Sequence, residues 1–121
     1  MLDWRRLRSR YSRLSWQQRL GNLASTLARS ATVSNSSRAA TSVADLLREG
    51  MWIIEWSADD APLDVLIELA PMQRELGLLR QAWERDAAAI QPVIAFRARA
   101  LSDRVLDLSG LGRSQLLRPD P

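Results

Sequence analysis

Apolar side chains recur at intervals of three and four residues along most of this chain, which is the spacing of one face of an α-helix. The pattern predicts an all-α protein, a small helical bundle with helices over 3–14, 16–32, 38–57 and 62–108. Each predicted helix carries one apolar stripe. The stripes are Trp4, Leu7, Tyr11 and Leu14; Trp16, Leu20, Leu23, Leu27 and Ala31; Ala40, Val43, Leu47, Gly50, Met51 and Ile54; and Val65, Leu69, Met72, Leu76, Leu79 and Trp83, continued by Ala87, Ile90, Ile94, Leu101, Val105 and Leu108.

Local signals mark the ends of these helices. Ser15 and Gln18 have the spacing of a capping box, in which each side chain satisfies a backbone donor at a helix start. The polar segment 34–37 is interpreted as a linker, and Pro62 suits the first turn of a new helix. Gly110 follows the last periodic residue, where glycine commonly ends a helix. We therefore expect one domain over 1–108 and a flexible tail over 109–121.

The last predicted helix contains two prolines, Pro71 and Pro92, and its stripe skips one residue near Trp83. Proline removes a backbone donor, so the segment is either one long kinked helix or a hairpin at Gln91–Pro92. The kinked helix is favoured, because a two-residue turn without glycine is a poor way to reverse a helix. Two shorter helices cannot cover so long a stripe, which predicts a homodimer, with an intramolecular four-helix bundle as the alternative.

The most apolar stretch of the chain is 51–56. On a helix, Trp52 and Trp56 lie on the side opposite the core stripe, beside Arg48 and Glu49. Burying these indoles requires a second surface, from another part of the chain or from another subunit. Tryptophan is enriched at the energetic centres of interfaces, so these four residues are predicted to bind a protein partner.

All seventeen basic residues are arginine, and the net charge of +3 is unevenly placed. Residues 1–40 hold eight arginines against one acid, whereas residues 41–90 hold four against ten. The N-terminal helix could bind nucleic acid, with aromatic side chains stacking on bases and guanidinium groups contacting phosphates. The candidate residues are Trp4, Arg5, Arg6, Arg8, Arg10, Tyr11 and Arg13. The alternatives are that this helix docks on the rest of the protein, or that it lies on an anionic membrane surface.

The composition argues against an enzyme. The chain has no histidine and no cysteine, so it lacks imidazole bases, thiol nucleophiles and the usual ligands of zinc, copper and haem. The acids between Asp59 and Glu68 are interpreted as helix-capping groups, not as a cation site, and no cofactor is expected. No apolar run is long enough to span a bilayer and no secretory signal is present, which predicts a cytoplasmic protein.

The segments 19–29 and 50–57 resemble small uncharacterised helical proteins of cyanobacteria. The resemblance implies a bacterial cytosolic protein and carries over no functional residue. The sequence therefore predicts a non-enzymatic interaction or regulatory protein that binds a protein partner through a helical surface. Nucleic-acid binding by the N-terminal helix is the alternative.

Overall fold

The computed structural model describes residues 3–35 and 40–110, which form five α-helices. They are α1 (Trp4–Ser12), α2 (Trp16–Val33), α3 (Ala40–Trp56), α4 (Leu63–Arg85) and α5 (Ala87–Ser109). The all-α prediction is confirmed, and the bounds predicted for the first three helices differ from these by no more than two residues. No helix in the described ranges combines the length and the apolarity that crossing a bilayer requires.

The predicted capping box separates α1 from α2. The Gln18 amide N–H donates to Ser15 Oγ at 3.1 Å, and the Ser15 amide N–H donates to Gln18 Oε1 at 3.0 Å. At the other end of the chain, Gly110 takes the left-handed conformation that ends α5. Residues 36 and 37 of the predicted linker at 34–37, and the predicted tail beyond Gly110, lie outside the described residues.

Helices α2, α3, α4 and α5 form a four-helix bundle, and α1 packs outside it against α3. Each helix of the bundle contacts the next, and α5 returns to contact α2. Polar side chains support two of these contacts: Oγ of the buried Ser102 donates to the Ala24 carbonyl at 2.7 Å, and Nε2 of the half-buried Gln73 donates to the Met51 carbonyl at 3.0 Å.

The predicted long helix over 62–108 is wrong, because the structure divides it into two helices at Asp86. Asp86 has an extended backbone, and its carboxylate caps α5 by accepting from the Ala89 amide at 3.2 Å. Two ion pairs then join residues equidistant from Asp86, so the helices run antiparallel. These are Glu75 with Arg97 at 2.6 Å and Glu68 with Arg104 at 3.0 Å. Pro71 and Pro92 lie inside α4 and α5.

Helices α4 and α5 form a hairpin, and this hairpin covers the C-terminal apolar stripe within one chain. Every predicted stripe residue of α4 is buried, and Ile94, Leu101 and Val105 of α5 are buried against them. The chain thus forms the intramolecular four-helix bundle that was the alternative. The reason for a homodimer through this stripe no longer applies, and a homodimer through another surface stays a prediction.

Candidate functional site

A buried polar network attaches α1 to the bundle. Tyr11 of α1 is fully buried, and its hydroxyl donates to Glu49 Oε2 of α3 at 3.3 Å. Thr26 of α2 donates to the same carboxylate oxygen at 3.0 Å, and Arg10 donates to the Tyr11 hydroxyl at 3.1 Å. Burial raises the pKa of the Tyr11 phenol above its usual value. The network joins three helices around one carboxylate.

This network corrects the sequence prediction at two positions. Glu49 was predicted to bind a partner, but it is 6% exposed and bonded within the chain. Tyr11 was a candidate for stacking on bases, but it is 1% exposed and packs in the core cluster. Both side chains therefore hold α1 in place and do not lie on the protein surface.

The buried side chain of Arg19 also attaches α1 to the bundle, and the sequence did not predict this role. Its side chain is 4% exposed and donates to the Leu14 carbonyl at 2.7 Å, to the Tyr11 carbonyl at 3.4 Å and to Ser57 Oγ at 3.4 Å. It also pairs with Asp60. One guanidinium thus joins the end of α1 to the segment that follows α3.

The two predicted tryptophans of α3 differ in their surroundings. The Trp56 ring lies 5.8 Å from the Tyr11 ring and 6.0 Å from the Trp52 ring, centroid to centroid. Trp56 therefore packs at the edge of the core, and α1 supplies the second surface that its burial requires. Trp52 is half-buried and, among the described aromatic residues, has a ring contact with Trp56 alone.

A groove of about 330 Å³ lies between α1 and α3 and brings the two predicted sites together. It is lined by Trp4, Arg8, Trp52, Glu55, Trp56 and Asp59. Trp4 and Arg8 come from the candidate nucleic-acid site, and the two α3 tryptophans come from the candidate partner site. We call this surface the tryptophan groove. It exists because the Tyr11 network holds α1 beside the C-terminal half of α3.

Two carboxylates of the tryptophan groove were not predicted. Both side chains are exposed, and neither the Glu55 nor the Asp59 carboxylate forms a hydrogen bond or ion pair with any residue in 3–35 or 40–110. The sequence did carry a signal for Glu55, because it lies three residues after Trp52, which is a spacing of one helix face. Asp59 lies beyond the end of α3, where helical spacing no longer applies.

A second groove, of about 340 Å³, lies on the other side of Trp52 between α3 and α4. Its lining residues are Arg48, Met51, Trp52, Glu55, Gln73 and Arg80. Arg48 is exposed, as its predicted role in partner binding requires, whereas Arg80 pairs with Glu84 at 2.7 Å. Trp52 therefore separates two surface grooves.

The five arginines predicted for the N-terminal helix are all exposed: Arg5, Arg6, Arg8 and Arg10 of α1, and Arg13 directly after it. None of them forms an ion pair with an acid in the described ranges. Two lie over aromatic rings of their own helix, Arg5 at 5.6 Å from the Trp4 ring centre and Arg10 at 4.9 Å from that of Tyr11. Helix α1 thus docks on the protein through its apolar side while its positive charges stay in solvent.

Comparisons with protein-family models, with curated proteins and with solved structures find no match to this chain. The resemblance to cyanobacterial proteins stays a prediction. What the protein does must be inferred from the geometry of the surface itself.

Proposed function

We propose that this is a non-enzymatic interaction or regulatory protein whose protein partner binds across Trp52. The position of Trp52 carries the proposal. Its indole is half-buried, stacks on Trp56 and lies between two grooves, so a bound segment could contact it from either side. A large aromatic side chain held by its neighbours loses little conformational freedom on binding, which is why tryptophan dominates many interfaces.

The lining of the two grooves also supports recognition. Indoles, arginines and exposed carboxylates surround Trp52, and these groups contact a partner by stacking, hydrogen bonding and ion pairing. Their geometry does not depend on a partner, because Tyr11 and Arg19 already fix α1 relative to α3. A preformed surface lowers the entropy lost on binding.

Trp52→Ala tests this proposal. The tagged full-length chain would be used to capture its partner from an extract of the native organism, with and without nuclease treatment. We expect Trp52→Ala to abolish capture of the protein partner and to keep the helical content, because Trp52 is not part of the core cluster. Trp56→Ala should instead lower the free energy of unfolding by about 3 kcal/mol, since it packs against Tyr11.

Phe96→Ala is a matched control, because Phe96 is a 71% exposed aromatic residue on α5. It should leave capture unchanged. Capture that survives Trp52→Ala, or that is lost equally with Phe96→Ala, contradicts the proposed surface.

A second candidate function is nucleic-acid binding by α1, which is favoured by the five exposed arginines that have no ion-pair partner among the described residues. Such binding would weaken steeply with salt, because each phosphate contact releases counterions. The test is a mobility-shift titration with single-stranded RNA and DNA at several salt concentrations. Replacement of Arg5, Arg6 and Arg8 by glutamine should reduce the affinity and the salt slope together. An absence of any shift at low salt contradicts this function.

A further inference from the structure

The charges of the tryptophan groove do not match those of the helix beside it. Helix α1 is strongly basic, yet it contributes a single charged residue, Arg8, to the groove lining. The other charged groups are the carboxylates of Glu55 and Asp59, which have no ion-pair partner in the described part of the chain. The groove is therefore a local negative site at the edge of a positive helix.

The aromatic groups of the groove suit the same kind of ligand. A guanidinium within about 6 Å of an indole centre is attracted by the negative face of the ring. This protein already makes such a contact nearby, where Arg5 lies 5.6 Å from the centre of the Trp4 ring. Trp56 has ring contacts with both Trp52 and Tyr11, whereas the half-buried Trp52 has a ring contact with Trp56 alone among the described aromatic residues.

We infer that the tryptophan groove binds an arginine side chain of the partner protein, an inference that rests on the proposed function. The guanidinium would stack on Trp52 and donate hydrogen bonds to Glu55 and Asp59. Arginine fits better than lysine, because its planar group can stack on an indole and bind a carboxylate through two N–H groups at once. The partner segment is thus expected to carry a positive charge, although α1, which flanks the groove, is itself positively charged.

A substitution at Arg8 distinguishes binding of an arginine side chain from binding of nucleic acid. It lies in the groove and repels an incoming guanidinium, so Arg8→Gln should strengthen binding of a cation and weaken binding of a polyanion. Arg74→Gln is the matched control, because Arg74 is an exposed arginine on α4 outside the groove. The sign of the Arg8→Gln effect therefore separates the two kinds of ligand.

The probe is Nα-acetyl-arginine amide, and its control is the amide of Nα-acetyl-citrulline, which has nearly the same shape without the charge. The full-length protein is titrated with each compound at constant ionic strength. Binding is followed by the indole N–H resonance of Trp52, assigned with Trp52→Phe. We expect saturable shifts from the arginine compound and weaker, non-saturating shifts from the citrulline compound.

Charge variants then locate the binding site. Glu55→Gln and Asp59→Asn should each weaken binding of the arginine probe by about threefold, which is the effect of losing one exposed ion pair. Arg8→Gln should strengthen binding of this probe by a similar factor, and Asp103→Asn on α5 should leave its affinity unchanged. Equal binding of the arginine and citrulline compounds, or an unchanged affinity in the Glu55→Gln/Asp59→Asn double variant, overturns the inference. If Trp52→Ala still abolishes partner capture in that case, the proposed function stands without it.

Discussion

At the scale of single residues, the position of α1 depends on buried polar groups. Arg19 and Glu49 look like solvent-facing residues in the sequence, because each is a charged residue outside the apolar stripe of its helix. Their burial arises only when α1 folds over them, so no local pattern could reveal it. The apolar stripe that contains Tyr11 was visible, and docking on the rest of the protein was one of the alternatives for this helix. In the structure Tyr11, Leu7 and Leu14 of that stripe pack in or against the core, whereas Trp4 is exposed.

We expect Arg19→Ala to lower the free energy of unfolding by about 2–3 kcal/mol. The substitution leaves the carbonyls of Tyr11 and Leu14 without their buried donor and Asp60 without its partner. The measurement is urea unfolding followed by circular dichroism. The exposed Arg13 is the control, and Arg13→Ala should change stability by no more than about 0.5 kcal/mol. Similar losses for both variants would show that Arg19 contributes nothing through its burial.

Tyr11→Phe tests the hydroxyl network. Loss of one donor to the buried Glu49 carboxylate should lower the free energy of unfolding by about 1–2 kcal/mol at neutral pH. The pH dependence has a definite sign, since burial raises the pKa of Tyr11 in the folded protein. The unfolded chain, whose tyrosine has a pKa of about 10, loses the proton first, so stability falls as pH rises beyond about 10.

Because Tyr11 is the sole tyrosine of the chain, Tyr11→Phe removes this contribution completely. Unfolding free energies measured from neutral pH to beyond the phenol pKa, for both proteins, check the prediction. An alkaline fall of equal size in the two proteins would rule out Tyr11 as its source.

At the scale of secondary-structure elements, the reversal at Asp86 is the main difference from expectation. The prediction considered a kink or a hairpin at the prolines, yet Pro71 and Pro92 lie within helices at exposed positions. Two other features of the sequence mark the break between α4 and α5. The stripe skips one residue after Trp83, and Asp86 can cap the helix that follows it. The chain therefore reverses direction at a capping aspartate with an extended backbone, whereas the prediction required a turn that contains glycine.

The packing of the helices predicts that replacing two helical glycines by alanine has different effects on stability. A methyl group at Gly50 would lie 3.1 Å from Leu76 Cδ1 and 3.3 Å from Leu23 Cδ1, and both leucines are fully buried. A methyl group at Gly77 would meet only the flexible end of the half-buried Met51 side chain, at 3.3 Å. We expect Gly50→Ala to destabilise the protein by about 1–2 kcal/mol through overpacking.

Gly77→Ala should be neutral or should stabilise the protein by up to about 1 kcal/mol, since alanine favours a helix more than glycine does. Thermal and urea unfolding of the two variants provide the comparison. A Gly50→Ala protein as stable as Gly77→Ala would show that α3 can move away from α2 and α4 at little cost.

At the scale of the whole molecule, the uneven charge along the chain persists after folding. The exposed arginines of α1 do not pair with the acidic middle of the chain, and none of the four ion pairs of the described residues involves a residue of α1. We therefore expect the charge of α1 to contribute little to stability.

Replacement of Arg5, Arg6, Arg8 and Arg13 by glutamine should accordingly change the free energy of unfolding by less than about 1 kcal/mol. This holds although the net charge falls from +3 to −1. Unfolding at two salt concentrations measures the effect, and Arg19→Ala is the reference for a buried arginine. A loss as large as that of Arg19→Ala would show that the surface charges of α1 support the fold.

The candidate site could be predicted only in part, and the reason lies at this same scale. Helical spacing correctly placed Trp52 and Trp56 away from the main apolar stripe of α3. It could not show that α1 returns to bring Trp4 and Arg8 beside them, because that depends on the turn at Ser15 and on buried Arg19. The groove is a property of how α1 and α3 are placed together, and neither helix carries it alone.

The contact between α2 and α5 has a consequence for the way the protein is made. Ser102 and Ala24, which join the two helices, are 78 residues apart, and α5 is the last of the five described helices to leave the ribosome. During synthesis the apolar stripe of α2 can meet α3, but it has no α5 to cover its other side. Nascent chains that pause before α5 should therefore expose this stripe and recruit chaperones, and they should lose that association once α5 emerges.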